Sequence, residues 1–167
     1  MVVVRPYYPL YYRCAVTGNR QGRDLTAMRQ DGIQVKSTRH AKYQSGHHFV
    51  WIPFKRRKIF RDEVIIEATK RYIKEAAANN DIEIEAIEID RTLKDHVHVF
   101  ASFPPRMSAS QVVNILKGYS SRHLRMEFPW LKDLYQKDQL WARSFYWGTC
   151  GNVSAQIVKR YIEECQG

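Results

Sequence analysis

Hydrophobic and polar positions recur with different periods along the chain, and each change of period marks a predicted element. Apolar residues at helical spacing predict a helix over 61–80 and a second helix from an N-cap at Ser108 to about Met126. Alternation over 82–90, with a slip near Ala86, predicts a half-exposed strand with a bulge. The remaining predicted elements are strands at 47–53, 95–103 and 144–150 and a final helix from about 154.

The order of these elements predicts the fold class. The first six, strand, helix, strand, strand, helix and strand, are typical of a ferredoxin-like α+β domain, an antiparallel sheet with two helices on one face. We expect the third strand, 95–103, to be central. Residues 1–35 contain prolines and glycines without sustained periodicity, which indicates an extended or poorly ordered N-terminal arm before a domain over 36–167.

Length and composition favour one globular domain. A chain of 167 residues that is 44% hydrophobic can bury a core without disulfides. It contains no apolar run of about 18 residues or more and begins without the layout of a secretory signal, so we expect neither a membrane span nor export. The three cysteines are scattered and form no C-x-x-C pair, which favours a reducing cytoplasm.

The net charge of +10 is concentrated in residues 36–75, which contain eleven basic and four acidic residues. The densest run is 55–58, followed by Arg61. Such a run attracts polyanions by counterion release, although a solvated loop has the same composition. Aromatic residues of the chain would suit stacking on unpaired bases, although each alone is more typical of a core: Tyr43, Trp51, Tyr119, Trp141, Tyr146 and Trp147.

The candidate chemistry begins with the sequence Asp95-His96-Val97-His98. Because side chains of a strand alternate between faces, His96 and His98 project to one side and can bind one divalent cation, with Asp95 able to orient a ring. Two histidines in a strand also occur without a metal. The other histidines are expected to be packing or surface residues: His40, His47, His48 and His123.

Tyr161 in the final helix is the second candidate. Read alone, it belongs to an apolar stripe of the helix and is typical of a core. A tyrosine hydroxyl can also act as a nucleophile when a metal polarises the electrophile, which connects Tyr161 to the histidine pair. Lys159 and Arg160 can contact a phosphate backbone or form a solvated face.

Several motifs occur in one order from about residue 36 to the end of the chain. They are KSTRH (36–40), HHFVWIP (47–53), DHVH (95–98), LKGYSSR (116–122), LWARSFY (140–146), GNVS (151–154) and YIEE (161–164). In this respect the chain resembles the small single-tyrosine HUH transposases of bacterial and archaeal insertion sequences, which include the REP-associated transposases. The first 35 residues fall outside the resemblance.

The resemblance implies an RRM-like or ferredoxin-like fold, a nucleoid-associated cytoplasmic location, and a homodimer whose active sites are shared between chains. Tyr161 would attack single-stranded DNA at the hairpin-bearing ends of the element, giving a 5'-phosphotyrosine and a free 3'-hydroxyl. His96 and His98 would hold Mg or Mn. The implied DNA contacts are Lys36, Arg39, Lys55, Arg56, Arg57, Lys117 and Arg122.

The chain departs from this family four residues after Tyr161, where the family places a glutamine that binds the metal. Cys165 occupies that position and Gln166 follows, so Cys165 lies roughly 40° and Gln166 roughly 140° from Tyr161 around a helix. A thiolate suits Mg or Mn poorly. We expect Gln166 to be the ligand through distortion of the terminal turn, with Glu164 as the substitute, and an inactive copy remains an alternative.

Two other functions fit part of the sequence. A non-catalytic module could bind single-stranded DNA or RNA on the same fold. A structural metalloprotein could bind Zn through His96 and His98. Neither accounts for Tyr161 and the ordered motifs, and a covalent adduct with DNA would distinguish an enzyme from a binder.

Overall fold

A computed structural model describes residues 35–90, 95–134 and 139–150, with Cys150 described by its backbone alone. The predicted arm, apart from Val35, and the final helix with Tyr161 lie outside the described residues. The predicted boundary between arm and domain therefore stays a prediction. In the described part, no helix is long and apolar enough to cross a membrane.

The described elements follow the predicted order, with additions. They are β1 (Lys36–Ser37), β2 (Lys42–Tyr43), β3 (Gly46–Trp51), α1 (Glu63–Ala78), β4 (Glu83–Ile89), β5 (Val97–Ser102), α2 (Ala109–Glu127), α3 (Trp130–Leu134) and β6 (Tyr146–Cys150). The predicted strand 47–53 ends at Trp51, because proline has no N–H for the ladder and Pro53 makes only an isolated bridge to Trp141.

Four strands form one antiparallel sheet in the order β4-β5-β3-β6, and β1 pairs with β2 in a separate hairpin. This order confirms the ferredoxin-like prediction. The histidine-bearing strand β5 is central, paired with β4 on one side and β3 on the other. The register of β4 and β5 shifts between Ile84 and Ala86, at the predicted slip.

The core lies between the sheet and the two long helices. Phe49, Trp51, Val97 and Val99 alternate along β3 and β5 and are fully or almost fully buried in one cluster with residues of α1 and α2. Ser108 caps α2 as predicted, in a reciprocal capping box with Gln111. The residues between the buried positions of β3 and β5 consequently face the other side of the sheet.

Three local structures were not predicted: the β1–β2 hairpin, α3 after Pro129, and a 3-10 turn at Phe54–Arg56. Within this turn Lys55 and Arg56 have φ angles of 58° and 53°. L residues seldom adopt this left-handed region, because Cβ approaches the following carbonyl oxygen. The turn follows β3 after Ile52 and Pro53 and contains the first two residues of the basic run.

Candidate metal and nucleic-acid site

The two histidines of the motif lie on the side of the sheet that faces away from the helices. His98 belongs to β5 and His96 comes just before the strand, with buried Val97 between them. Their ring centroids are 6.3 Å apart. The alternation read from the sequence thus brings both imidazoles to one side, within reach of a single cation.

Asp95 contacts the first imidazole and is itself bound by Arg56. Nδ1 of His96 lies 2.6 Å from Oδ1 of Asp95, and Nε of Arg56 donates to Oδ2 of the same carboxylate at 3.0 Å. The Asp95 side chain is 6% exposed. A carboxylate beside Nδ1 favours the tautomer with the proton on Nδ1, which leaves the lone pair of His96 Nε2 for a metal.

A third histidine, His48 of β3, contacts the second imidazole. Its Nε2 lies 3.3 Å from Nδ1 of His98, and the rings stack with centroids 5.5 Å apart at 18°. The β3–β5 register pairs Val50 with His98 and His48 with Phe100, so His48 and His98 share a face. His48 was predicted from the sequence to be a packing or surface residue, and its contact with His98 was not predicted.

The other histidines behave as expected. His40 is exposed. His47 stacks on Phe103 at 4.2 Å and accepts a hydrogen bond from Trp147. His123 stacks on Tyr119 at 4.1 Å.

Burial keeps the His48–His98 pair neutral. Desolvation lowers the pKa of His48 to about 4. Desolvation, and then the nearby His48 and His96, lowers the pKa of His98 to about 4, against a smaller opposite effect of Asp90. At neutral pH both rings are uncharged, which is the form that binds metals.

These residues fit part of a divalent metal site. Among residues 35–90, 95–134 and 139–150, no group of three or more His, Cys, Asp or Glu side chains is arranged to hold a metal ion. The described part therefore offers the two imidazoles of His96 and His98 as a pair of ligands. Gln166, Glu164 and Cys165, the residues predicted to complete the site, lie outside the described residues.

The basic run adjoins the histidine pair through Arg56. Lys55, Arg56 and Lys58 are exposed and Arg57 is half-buried. Since Arg56 binds the carboxylate that contacts His96, the densest positive charge and the two candidate ligands lie in one place. No pattern in the sequence indicated that these two features lie side by side.

The remaining predicted DNA contacts differ in their surroundings. Arg39 and Arg122 are exposed. The ammonium of Lys36 contacts the Ser102 hydroxyl and the Glu83 carboxylate.

Lys117 does not fit its predicted role. Its side chain is buried in α2, and its ammonium donates to the carbonyls of Ala142, Arg143 and Ser144 at 2.5, 3.2 and 3.4 Å. Burial also lowers its pKa. These contacts anchor the chain before β6 and favour a structural role for Lys117, while its contact with DNA stays a prediction.

The aromatic residues divide into core and surface. Trp51 and Trp141 are buried in the core, as expected of each individually, and Trp141 donates to the Ser120 hydroxyl. Trp147 on β6 is 46% exposed. Among the tryptophans proposed for base stacking, Trp147 alone presents its ring to solvent in the part of the chain that the structure describes.

The fold and the site define a ferredoxin-like α+β protein with paired imidazoles and a basic surface suited to phosphate groups. Residues 41–165 match the family described as transposase IS200 like. The chain is 31% identical over 132 residues to the transposase for insertion sequence element IS200 of Salmonella typhimurium, covering 77% of this chain and 84% of that protein. The chain therefore belongs to the IS200-like transposase family, which confirms the resemblance.

Other relatives agree. Over 131 residues the chain is 28% identical to the ISDra2 transposase TnpA of Deinococcus radiodurans, covering 78% of this chain and 91% of that protein. A crystal structure of a Deinococcus radiodurans protein described as a transposase has a TM-score of 0.61 at 28% identity, over 78% of this chain and 97% of that one. A REP-associated tyrosine transposase bound to a REP hairpin, at 14% identity and a TM-score of 0.50 over 77% of this chain and 70% of that one, shares the fold.

Proposed function

We propose that this transposase cuts and rejoins single-stranded DNA at the ends of its insertion sequence through a covalent bond to Tyr161. Membership of the family supports transposition. The observation that carries the finer chemistry is the set of contacts in which Asp95, bound by Arg56, lies against His96 beside His98. The role of Tyr161 rests on the family resemblance, since the residue lies outside the described part.

In the proposed reaction the phenol oxygen of Tyr161 attacks the scissile phosphorus. The bond from phosphorus to the 3'-oxygen breaks, and that oxygen leaves as a hydroxyl, with the proton released by the phenol balancing the one it gains. The phosphodiester energy is kept in the 5'-phosphotyrosine, so another 3'-hydroxyl can reverse the step and join a new strand. Mg or Mn bound by His96 and His98 supplies Lewis-acid polarisation of the phosphate.

The surface around the site supports DNA binding. We propose that four basic residues contact the DNA backbone: Arg39, Lys55, Arg57 and Arg122. Arg56 instead binds Asp95, the carboxylate beside the proposed ligand His96. A relative of the same fold is described as bound to a REP hairpin. We propose that this chain likewise recognises a hairpin at each element end, as a homodimer whose sites are shared between chains, in the nucleoid of the cytoplasm.

The test is incubation of the full chain with single-stranded element ends and Mn, followed by a denaturing gel. Wild-type protein should give a covalent adduct. Tyr161→Phe should bind the DNA normally and give none, while Tyr119→Phe, which also removes one phenol hydroxyl, should still give it. An adduct that persists in Tyr161→Phe would refute the assignment.

The same gel separates the alternatives. A single-strand binder retains DNA without an adduct. The cysteine at position 165 favours an inactive transposase copy as the second candidate. An inactive copy would bind element ends specifically and fail to cleave in either metal, and Cys165→Gln should then restore the adduct.

A further inference from the structure

The contact between His48 and His98 indicates a role for His48 that was not predicted from the sequence. Nitrogen atoms 3.3 Å apart on two stacked rings make a hydrogen bond that requires one donor and one acceptor. A neutral imidazole carries one proton on one of its two nitrogens, so two arrangements of this hydrogen bond are available. Either His98 donates from Nδ1 to an unprotonated Nε2 of His48, or His48 donates from Nε2 to an unprotonated Nδ1 of His98.

Only the first arrangement prepares His98 for a metal. When the proton is on Nδ1 of His98, its Nε2 keeps a lone pair that can bind the cation. In the second arrangement the proton is on Nε2, and Nδ1, which carries the remaining lone pair, is already engaged by His48. We propose that His48 is a positioning residue that accepts the Nδ1 proton of His98 and thereby presents Nε2 of His98 to the cation. This inference rests on the proposed metal site.

The neighbouring ligand supports the assignment. His96 has its Nδ1 beside the Asp95 carboxylate, which also leaves Nε2 for the metal. Both imidazoles of the pair would then bind through the same atom, each with its other nitrogen close to a polar group of the protein: the Asp95 carboxylate for His96 and the His48 ring for His98. Ligating histidines usually have such a partner, and its removal typically lowers metal affinity about 10–100-fold.

The partners differ in charge, which makes the two ligands unequal. Asp95 is a carboxylate ion-paired with Arg56, whereas the acceptor that His48 offers is the nitrogen of an imidazole. A negative acceptor raises the basicity of the ligand more than a neutral one does. His48 therefore orients His98 without adding charge, and its effect should be reproduced by another neutral acceptor of similar reach.

The first experiment needs no substitution. Long-range nitrogen–proton spectra of the metal-free, nitrogen-15-labelled full chain at neutral pH report which ring nitrogen of each histidine carries the proton. The signals of His98 are assigned by their absence in His98→Ala. We expect the proton on Nδ1 of His98, and a proton on Nε2 would overturn the proposal.

The second experiment measures the Kd for Mn from free-Mn electron paramagnetic resonance. His48→Phe keeps a ring but removes the acceptor, and its Mn affinity should fall about 10–100-fold. His48→Gln keeps a neutral acceptor and should stay near wild type. His47→Phe, one residue away on the opposite face, is the matched control and should not change the Kd. Unchanged Mn affinity in His48→Phe would overturn the positioning role.

Two further readouts separate this inference from the function on which it rests. If His98→Ala binds Mn as tightly as wild type, the proposed metal site fails. If His98→Ala weakens binding and His48→Phe does not, only the role of His48 fails. Pulsed resonance of bound Mn counts the coordinated imidazoles, and we expect two. A count of three would make His48 a ligand and overturn its role as a positioning residue.

Discussion

The burial of Lys117 allows a sharp test of where the DNA-binding charge lies. Lys117 and Arg122 belong to one helix, and both were predicted DNA contacts. Lys117→Met keeps most of the buried stem and removes the ammonium that donates to the carbonyls of residues 142–144. Arg122→Met, at an exposed position of the same helix, is the matched control.

The expected destabilisation by Lys117→Met follows from these hydrogen bonds. The shortest of them, 2.5 Å to the Ala142 carbonyl, is charge-assisted, and such bonds contribute about 1.5–3 kcal/mol. The bonds at 3.2 and 3.4 Å add less, and the desolvation that lowers the pKa of Lys117 offsets part of the total. We expect the free energy of unfolding to fall by about 2 kcal/mol, which lowers Tm by roughly 4–8 °C in a chain of this size.

The assay has two readouts for both variants: unfolding in urea, and the salt dependence of single-stranded DNA binding. Lys117→Met should be less stable and keep the wild-type slope of log Kd against log salt. Arg122→Met should unfold with a free energy within about 0.5 kcal/mol of wild type and show a shallower slope. The reasoning is refuted if Lys117→Met unfolds like wild type and flattens the slope, because its charge would then act on DNA.

Three other outcomes are expected. Asp95→Asn weakens the hold on His96 and should lower Mn affinity about 10–100-fold by calorimetry, and an unchanged Kd would show that the carboxylate does not orient the ring. Replacement of Lys55 and Lys58 together by glutamine should reduce the salt slope by about 0.7 for each phosphate that the protein no longer neutralises, and an unchanged slope would leave them as solvated charges. Gln166→Ala should abolish the Mn-dependent adduct if the terminal turn distorts to bring this amide to the metal, and full activity would contradict that ligand.

The sheet could be predicted from the sequence because its strands and helices differ in apolar period. Alternation placed His96 and His98 on one side, and the order of elements made their strand central. These inferences need only local periodicity and the handedness rules for connecting strands and helices. The short β1–β2 hairpin, with two residues in each strand, is too brief for a period to appear.

The side-chain partners could not be predicted in the same way. The contact of His48 with His98 depends on the β3–β5 register, in which Val50 lies opposite His98. A shift of this register by one residue would place His48 on the face of the sheet that packs against the helices. The available signal was the predicted central position of strand 95–103, since a central strand pairs with a neighbour on each side.

The position of Arg56 depends on backbone angles that its sequence does not favour. From the basic run 55–58, three residues were predicted to contact DNA alike: Lys55, Arg56 and Arg57. Arg56, in the left-handed turn, instead binds Asp95. A charge run therefore predicts the sign of a surface better than it predicts the partner of any one side chain.

The left-handed turn also determines at which stage, folding or binding, the free-energy cost of ordering the site arises. Two successive L residues in the region each cost about 1–2 kcal/mol, and the free protein carries that strain. An arginine with many rotamers would lose up to about 2 kcal/mol of conformational entropy on being fixed. Because Asp95 already binds Arg56, this conformational entropy is lost during folding. The proposed binding of metal and DNA then does not have to supply it. The turn exchanges some stability of the resting protein for a preorganised site.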